Sequence, residues 1–313
     1  PDIKYKDINA KCVSIDEIGL PSKEDMLFKY NILEANTSIK PWMFEYVFKM
    51  GYDKVIYFDP DIYIYNSIEY IPNLLDQYFM ILTPHLTDFL NDEYLPGELE
   101  IIKAGSYNLG FIAIHRDAQL NKFLKWWQSK LVNSCYIAFG EGIFCDQKWM
   151  ELAPSLFDNV YLLKNDGCNV AYWNLSHRKI KKNEFDEYYV NNEKLTFFHF
   201  SGLDPFKPST LSKYQNRYKL SDIKLVEELV FKYIEQLKIN GLSFYSKIPY
   251  KYDYFSNGVT IPPDFRKAYF KNKPSLFKNT SNPFDAYRSL SYKKYVIKNR
   301  FLQKPIVRKC KNL

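Results

Sequence analysis

Two carboxylates stand close together in the tripeptide Asp59-Pro60-Asp61, directly after the apolar run 55–58. A short, unbroken apolar run that follows a helix predicts a strand buried on both faces of a parallel sheet. Ligands of open α/β sheets bind at the carboxyl ends of such strands. Because neighbouring carboxylates repel each other unless a cation joins them, the pair suggests a divalent metal that also binds a diphosphate. A solvated turn after a strand is the alternative interpretation.

An imidazole, His199, stands near the end of a second apolar run at 195–200. Taken alone, such a residue is more typical of a hydrogen-bonded core histidine than of a metal ligand. His85 also follows an apolar run and could compete with it as a ligand. Since Mg²⁺ prefers oxygen and water, an imidazole added to two carboxylates favours Mn²⁺ over Mg²⁺.

Two further polar groups stand at the ends of predicted elements. Asp146-Gln147 begins a short helix after the glycine-containing loop 140–142, and Asn108 stands ahead of a strand that starts near Leu109. Each is also a common helix-cap or turn residue. The two readings therefore stay open from local sequence alone.

The elements that must position these residues alternate between strands and helices, which indicates an α/β sheet. Ser22 and Asp25 form a capping-box signal for a helix that continues to Leu33, and Pro41 begins a second helix that stops at Gly51. The remaining predictions are strands at 80–82, 109–114, 160–163 and 195–200, a helix capped by Asp117, and an amphipathic helix at 223–237 closed by Gly241.

In order and spacing, these pieces resemble the landmarks of glycosyltransferase family 8, which includes glycogenin and lipopolysaccharide galactosyltransferases. The resemblance covers roughly residues 12–240 and is nearest to a group of bacterial glycosyltransferases. Longer matching stretches are 57–65, 82–87 and 169–175. The residues that carry it are Tyr57-Phe58-Asp59-Pro60-Asp61, Tyr107-Asn108-Leu109-Gly110, Asp146-Gln147 and His199-Phe200-Ser201-Gly202.

The resemblance implies a GT-A fold, a Rossmann-like nucleotide-diphospho-sugar transferase architecture with a mixed sheet flanked by helices and a helical or irregular C-terminal extension. It implies a Mn²⁺ (or Mg²⁺) ion bound by Asp59, Asp61 and His199. It also implies transfer of a sugar from a nucleotide donor, UDP-linked in this family, to a hydroxyl acceptor with retention of anomeric configuration. The acceptor would be a glycan, a lipid-linked glycan or a protein.

The same resemblance assigns roles to further residues. Lys40 would contact the donor, and Asn108 would line the sugar and acceptor pocket. Gln147 and Asp146 would be the catalytic residues nearest the anomeric carbon. The diphosphate would be bound near Gly202 by a following cation, for which the sequence offers Lys207, Lys213 and Arg217.

Family members carry a further strand-helix-strand ahead of the metal-binding strand, and it forms much of the nucleoside pocket. Residues 1–58 offer no such unit, so we expect the first βα unit to be absent from this chain. The predicted organisation is a catalytic domain at 1–241, an irregular extension or linker at 242–290, and a basic tail at 291–313.

Net charge is +7, but the tail alone holds eight Lys and Arg and no acid, which leaves 35 basic and 36 acidic residues in the body. A nucleic-acid-binding domain usually carries its positive charge on the folded body, so nucleic acid is not expected as a partner. The tail is also rich in apolar residues, a mixture that favours anionic membrane surfaces. A solvated end or a connector to further domains is the alternative.

No run of about 18 apolar residues and no signal segment is present in the sequence. The five cysteines form no C-x-x-C pair, which predicts free thiols in a reducing compartment. The expected location is therefore the cytoplasm, with peripheral contact at the inner face of the membrane.

Two other functions compete with glycosyl transfer. A nucleotidyltransferase that makes sugar nucleotides also places a metal at carboxylates of an α/β sheet, but it usually has a Gly-rich, basic N-terminal loop, and none is found here. A non-catalytic glycan-binding or scaffolding module could keep the fold without activity. Intact Asp59, Asp61, His199 and Gln147 favour the enzyme.

Overall fold

The computed structural model describes residues 10–276, 282–288 and 293–294. It shows a mixed α/β protein in which one mixed sheet is flanked by helices. The α-helices are α1 Lys23–Lys29, α2 Ile32–Ser38, α3 Lys40–Lys49, α4 Tyr70–Leu74, α5 Glu98–Ala104, α6 Leu120–Leu131, α7 Ala153–Leu156, α8 Lys224–Ile239, α9 Leu242–Tyr245 and α10 Pro263–Leu276. The strands are β1 Lys54–Phe58, β2 Ile62–Ile64, β3 Met80–Pro84, β4 Tyr107–His115, β5 Ile137–Ala138, β6 Ile143–Phe144, β7 Val160–Leu162, β8 Ile180–Lys182, β9 Tyr188–Val190, β10 Glu193–Lys194 and β11 Phe197–His199.

The chain folds into two compact units. Within the described residues, the first comprises 10–19 and 37–247, and the second comprises 20–36, 248–276, 282–288 and 293–294. The boundary predicted near Gly241 thus lies close to the end of the first unit. The region predicted to be an irregular extension contains helix α10, and its unit also includes residues 20–36, which the sequence placed in the catalytic domain.

The main sheet of the first unit has the order β1-β4-β3-β7. β4 is antiparallel to both β1 and β3, whereas β3 and β7 are parallel. The expectation that β1 lies buried in a parallel sheet is therefore wrong: β1 is an edge strand, half-buried along its length and paired antiparallel. In this topology β1 and β3 end, and β4 begins, at the same end of the sheet.

Hydrophobic packing holds the strands together at this end of the sheet. The central strands β3 and β4 are buried almost throughout, and Ile81, Phe111 and Ala113 pack with Phe197 of β11 in one apolar cluster. A second cluster joins β11 to the amphipathic helix α8, whose Val226, Leu229 and Val230 face the sheet. The burial of these side chains supplies the main driving force for holding β11 beside β1 and β4.

Several helices confirm the local sequence signals. Pro41 lies in the first turn of α3, and Gly51 follows that helix with a positive φ of 97°. α6 and α8 lie where their apolar periodicity predicts them. The first helix is shorter than predicted: α1 ends at Lys29, and Ser22 makes no side-chain cap because its backbone is left-handed.

The second unit has an aromatic core around Phe28. Its ring contacts Phe265, Tyr269 and Phe284 at centroid separations of 6.2, 4.8 and 5.1 Å. Buried Arg266 of α10 donates hydrogen bonds to the backbone carbonyls of Leu27, Phe28 and Tyr30 at the end of α1. The last carbonyls of a helix have no donor within the helix itself, and Arg266 supplies donors to them, so it caps α1.

Residues 10–53, the described stretch ahead of β1, form α1, α2 and α3 and no strand. Within the described residues, no helix is both long and apolar enough to cross a lipid bilayer. Except for Lys293 and Lys294, the basic tail predicted at 291–313 lies outside the described residues.

Candidate metal centre

The strand register brings the two carboxylates and the imidazole together. Asp59 follows β1, and its amide donates to the carbonyl of Gly110 in β4, 2.7 Å away. The turn through Asp59-Pro60-Asp61 leads into β2, which pairs antiparallel with β11 so that Ile62 lies opposite His199. The amide of Phe200 donates to the carbonyl of Asp61 at 2.8 Å. Asp61 and His199 are thus cross-strand neighbours, although 138 positions separate them in sequence.

Asp59, Asp61 and His199 each offer one ligand atom, and these atoms all lie within 4.8 Å of one another. His199 Nε2 lies 3.0 Å from Asp61 Oδ1. Two lone pairs at that distance repel, so a proton or a metal ion must lie between the two atoms. Burial tends to raise the pKa of Asp61, but the hydrogen bond and charge of His199 outweigh it and lower that pKa. The cluster can therefore hold a metal ion.

Asp59 is oriented by two neighbours. The Tyr57 hydroxyl donates to Asp59 Oδ1 at 2.6 Å, and Lys40 Nζ lies 3.4 Å from the same oxygen. The Lys40 ammonium also lies over the Tyr57 ring, 4.6 Å from its centroid. Both contacts involve Oδ1 and hold that oxygen in place.

Lys40 is buried, with only 2% of its side chain exposed, and its Nζ lies 2.8 Å from Asp146 Oδ2. It also donates to the carbonyl of Leu109 at 2.8 Å. Burial by itself would lower the pKa of Lys40, but Asp146 and Asp59 raise it above its ordinary value. Burial raises the pKa of Asp146, and Lys40 offsets this only in part. The ammonium predicted to contact the donor thus holds two carboxylates inside the protein.

Asp146 precedes a short 3₁₀ helix at Gln147–Leu152, and its side chain makes no cap hydrogen bond to that helix. Through Lys40 it is connected to Asp59 and hence to the triad. Gln147 is nearly buried and donates from Nε2 to the carbonyl of Ala104 at the end of α5, 2.9 Å away.

Asn108 lies beneath the triad rather than on an open surface, since it is buried at the start of β4. Its Oδ1 is 3.1 Å from His199 Nδ1, and its Nδ2 is 3.2 Å from His85 Nε2. Burial, followed by the proximity of His199, lowers the pKa of His85 to about 4. His85 is therefore a neutral, internally bonded histidine outside the triad, and it does not compete with His199 as a ligand.

The predicted phosphate-binding residues lie on the loop after β11. Gly202 has a φ of 74°, and a Cβ there would lie 2.5 Å from Ser212 Oγ, so this close turn requires glycine. Arg217 forms two 2.8 Å hydrogen bonds to Asp92 and donates to the carbonyls of Tyr94 and Pro96. Because these contacts engage Arg217, Lys207 and Lys213 are the better candidates for a phosphate.

Sequence reasoning missed three buried residues of the site: Thr83, Asn169 and Trp173. Asn169 Nδ2 donates to Thr83 Oγ1 at 2.8 Å, and Asn169 Oδ1 lies 3.3 Å from His199 Nδ1. The Trp173 ring contacts both His85 and His199, with centroids 5.0 and 5.3 Å apart. Asn169 and Trp173 lie in the stretch 169–175 that supported the family resemblance, but nothing in that stretch indicated contact with a histidine.

Proteins similar to this chain include two from Bacillus subtilis (strain 168). The uncharacterized protein YfnF is 33% identical over 98 residues, which are 31% of this chain and 32% of YfnF. The uncharacterized protein YfnD is 25% identical over 158 residues, 49% of each protein. The chain therefore matches less than half the length of these curated relatives. No protein-family model and no solved structure matches it.

Proposed function

We propose that this chain is a metal-dependent glycosyltransferase that moves a sugar from a nucleotide-diphosphate donor, UDP-linked in our proposal, to a hydroxyl acceptor in surface glycan or glycoconjugate synthesis. The observation that carries the proposal is the 3.0 Å distance between His199 Nε2 and Asp61 Oδ1 beside Asp59, at the end of the sheet where β1 and β3 terminate. Ligands of α/β sheets bind at the carboxyl ends of strands.

The donor set supports Mn²⁺ as the ion. Two carboxylate oxygens and one imidazole nitrogen match a borderline cation better than Mg²⁺, which favours oxygen and water. When bound, the ion would take diphosphate oxygens as further ligands and stabilise the charge that develops on the leaving nucleotide. Lys40 and Tyr57 hold Asp59 in one orientation, so this ligand is already positioned before a cation arrives.

The mixed sheet and its flanking helices are compatible with a GT-A fold of the family 8 type, which we include in the proposal. Retention of anomeric configuration follows from the same resemblance. In this assignment, Asp146 and Gln147 lie beside the reacting carbon, and Lys207 and Lys213 bind the diphosphate. The ammonium of Lys40 is buried against Asp59 and Asp146, so its role in this assignment is to orient these two carboxylates.

The proposal is tested by incubating the full chain with a panel of nucleotide sugars and following hydrolysis or transfer by mass spectrometry, with and without Mn²⁺. Asp61→Ala should abolish Mn²⁺-dependent turnover because it removes one ligand from the triad. Glu235→Ala, an exposed acid on α8, is the matched control and should retain it. Unchanged turnover in the folded Asp61→Ala protein would contradict the assignment.

The same assay separates the alternatives. A nucleotidyltransferase would release pyrophosphate from UTP and a sugar 1-phosphate and would not consume a nucleotide sugar. A glycan-binding module would bind oligosaccharides without turnover and without dependence on Mn²⁺. Either outcome would replace the transferase proposal.

A further inference from the structure

A closed set of hydrogen bonds surrounds the ring nitrogen of His199 that faces away from Asp61. His199 Nδ1 lies 3.1 Å from Asn108 Oδ1 and 3.3 Å from Asn169 Oδ1. Both asparagines are buried, and Asn169 has no exposed surface. The identity of the donor in these contacts decides where the ring proton lies.

The backbone determines the orientation of the Asn108 amide. The Gly110 N–H donates to Asn108 Oδ1 at 3.1 Å, and a backbone N–H can only donate. The atom it reaches must therefore be the amide oxygen. With that oxygen fixed as an acceptor, His199 Nδ1 must donate to it, because an unprotonated Nδ1 would place a lone pair against it.

The Asn169 amide follows from the same reasoning. The Thr83 hydroxyl donates its proton to the backbone carbonyl of Asn108 at 3.3 Å. Toward Asn169 the hydroxyl oxygen of Thr83 is therefore an acceptor, and Asn169 Nδ2 donates to it at 2.8 Å. Asn169 Nδ2 also donates to Asn108 Oδ1 at 3.1 Å. Asn169 Oδ1 consequently faces His199 as a second acceptor for the Nδ1 proton.

We propose that Asn108 and Asn169 are positioning residues that keep the proton of His199 on Nδ1 and so direct the Nε2 lone pair to the cation. The inference rests on the metal site proposed above, but it concerns the proton of the ligand and not the reaction. Hydrogen bonds from the distal nitrogen of a ligating histidine fix its tautomer and ring orientation, and their loss typically costs about 10- to 100-fold in metal affinity.

The variant to test is Asn169→Gly. Asn169 has a φ of 53°, a left-handed conformation that glycine adopts readily, so the substitution removes the amide while the backbone conformation is retained. Asn159→Gly is the matched control, since Asn159 is exposed and has a similar left-handed φ of 55°, so the same substitution is made outside the network. Calorimetric titration should show Mn²⁺ binding weakened about 10- to 100-fold by Asn169→Gly and unchanged by Asn159→Gly.

A spectroscopic readout reports the proton directly and does not require activity. In the ¹⁵N-histidine-labelled full chain, His199 is assigned by loss of its signals in His199→Gln. Its Nδ1 should give the shift of a protonated ring nitrogen, both in metal-free protein and with Zn²⁺ as a diamagnetic probe. An unprotonated Nδ1 in either state would overturn the proposal, as would unchanged Mn²⁺ affinity in folded Asn169→Gly. A protonated Nδ1 in a protein that turns over no nucleotide sugar would support this inference while removing the proposed function.

Discussion

Gly110 offers the sharpest structural test of the metal centre, because its missing side chain leaves the space that His199 occupies. A Cβ at this position would lie 2.7 Å from His199 Nδ1 and 2.8 Å from Asn108 Oδ1. Both separations are below 3.0 Å, a limit that real Cβ contacts essentially never cross. The backbone of Gly110 does not have a positive φ, so alanine is compatible with its conformation and only the steric effect is tested.

The expected cost follows from this overlap. Forcing one extra methyl group into a packed interior typically destabilises a protein by about 1–3 kcal/mol. The two overlapping groups are the imidazole ring and the amide that positions it, so relief of the clash must move the imidazole relative to Asp61. We expect Gly110→Ala to weaken Mn²⁺ binding about 10- to 100-fold, as disruption of the groups that orient a ligand does elsewhere. This loss corresponds to about 1.4–2.8 kcal/mol.

Gly140→Ala is the matched control, since a Cβ there has no heavy atom within 4 Å and the glycine does not have a positive φ. Mn²⁺ affinity is measured by calorimetry and the free energy of unfolding by urea denaturation, for both variants and the parent protein. Gly140→Ala should change neither quantity appreciably. Unaltered Mn²⁺ affinity in folded Gly110→Ala would refute the placement of His199 as a ligand, and equal losses in the two variants would refute the steric argument.

Three other perturbations have outcomes that the site or the sequence predicts. Lys40→Met should destabilise the protein by about 3–5 kcal/mol in urea denaturation, because it leaves Asp146 buried without its cation, and adding Asp146→Leu should restore much of the loss without restoring activity. Folding lowers the pKa of His85 from 6.5 to about 4, so between these pH values the unfolded chain binds a proton that the folded chain does not. The free energy of unfolding in metal-free buffer should therefore decline by roughly 3 kcal/mol from pH 6.5 to 4. His85→Gln should reduce this decline. Co-sedimentation with anionic vesicles should decrease steeply with salt and vanish when the chain stops at Leu290, whereas equal binding by the truncated chain would exclude the basic tail as an anchor.

Local hydrophobic patterns predicted most of the elements near the site. β3, β4, α3, α6 and α8 occur where apolar runs and helical periodicity place them, because both signals depend on neighbouring residues. The pairing of β1 could not be predicted in this way. Four consecutive apolar residues indicate a strand, but they do not show which strand lies beside it or in which direction it runs, and β4 pairs with β1 antiparallel.

The length of the first helix shows a second limit. The apolar spacing continues to Leu33, yet α1 ends at Lys29 and the backbone of Tyr30 is extended. Arg266 binds the carbonyls of Leu27, Phe28 and Tyr30 at this end, from a position more than 230 residues further along the chain. A partner so distant leaves no mark in the local pattern, and tertiary contacts of this kind override helix propensity.

The acidic and imidazole members of the triad could be proposed from sequence because titratable groups beside apolar runs are conspicuous. The amides that position them are not, since asparagine is common in turns and exposed loops. Asn169 illustrates this: it has a left-handed backbone, as a turn residue often does, and yet its side chain lies in the interior with every polar atom bonded. Its role depends on partners from β3, β4 and β11, which only the folded chain brings together.

The charges of the site also favour a divalent cation over a monovalent one. Asp59, Asp61 and Asp146 contribute three negative charges, and Lys40 offsets one, while a neutral imidazole ligand adds none. A divalent ion would balance the remaining two. A bound diphosphate would then bring new negative charge that the triad and Lys40 cannot compensate, because the ammonium of Lys40 is enclosed by its two acids. Cations from outside this cluster are therefore required for donor binding, and Lys207 and Lys213, on the loop that follows His199, are placed in the sequence to supply them.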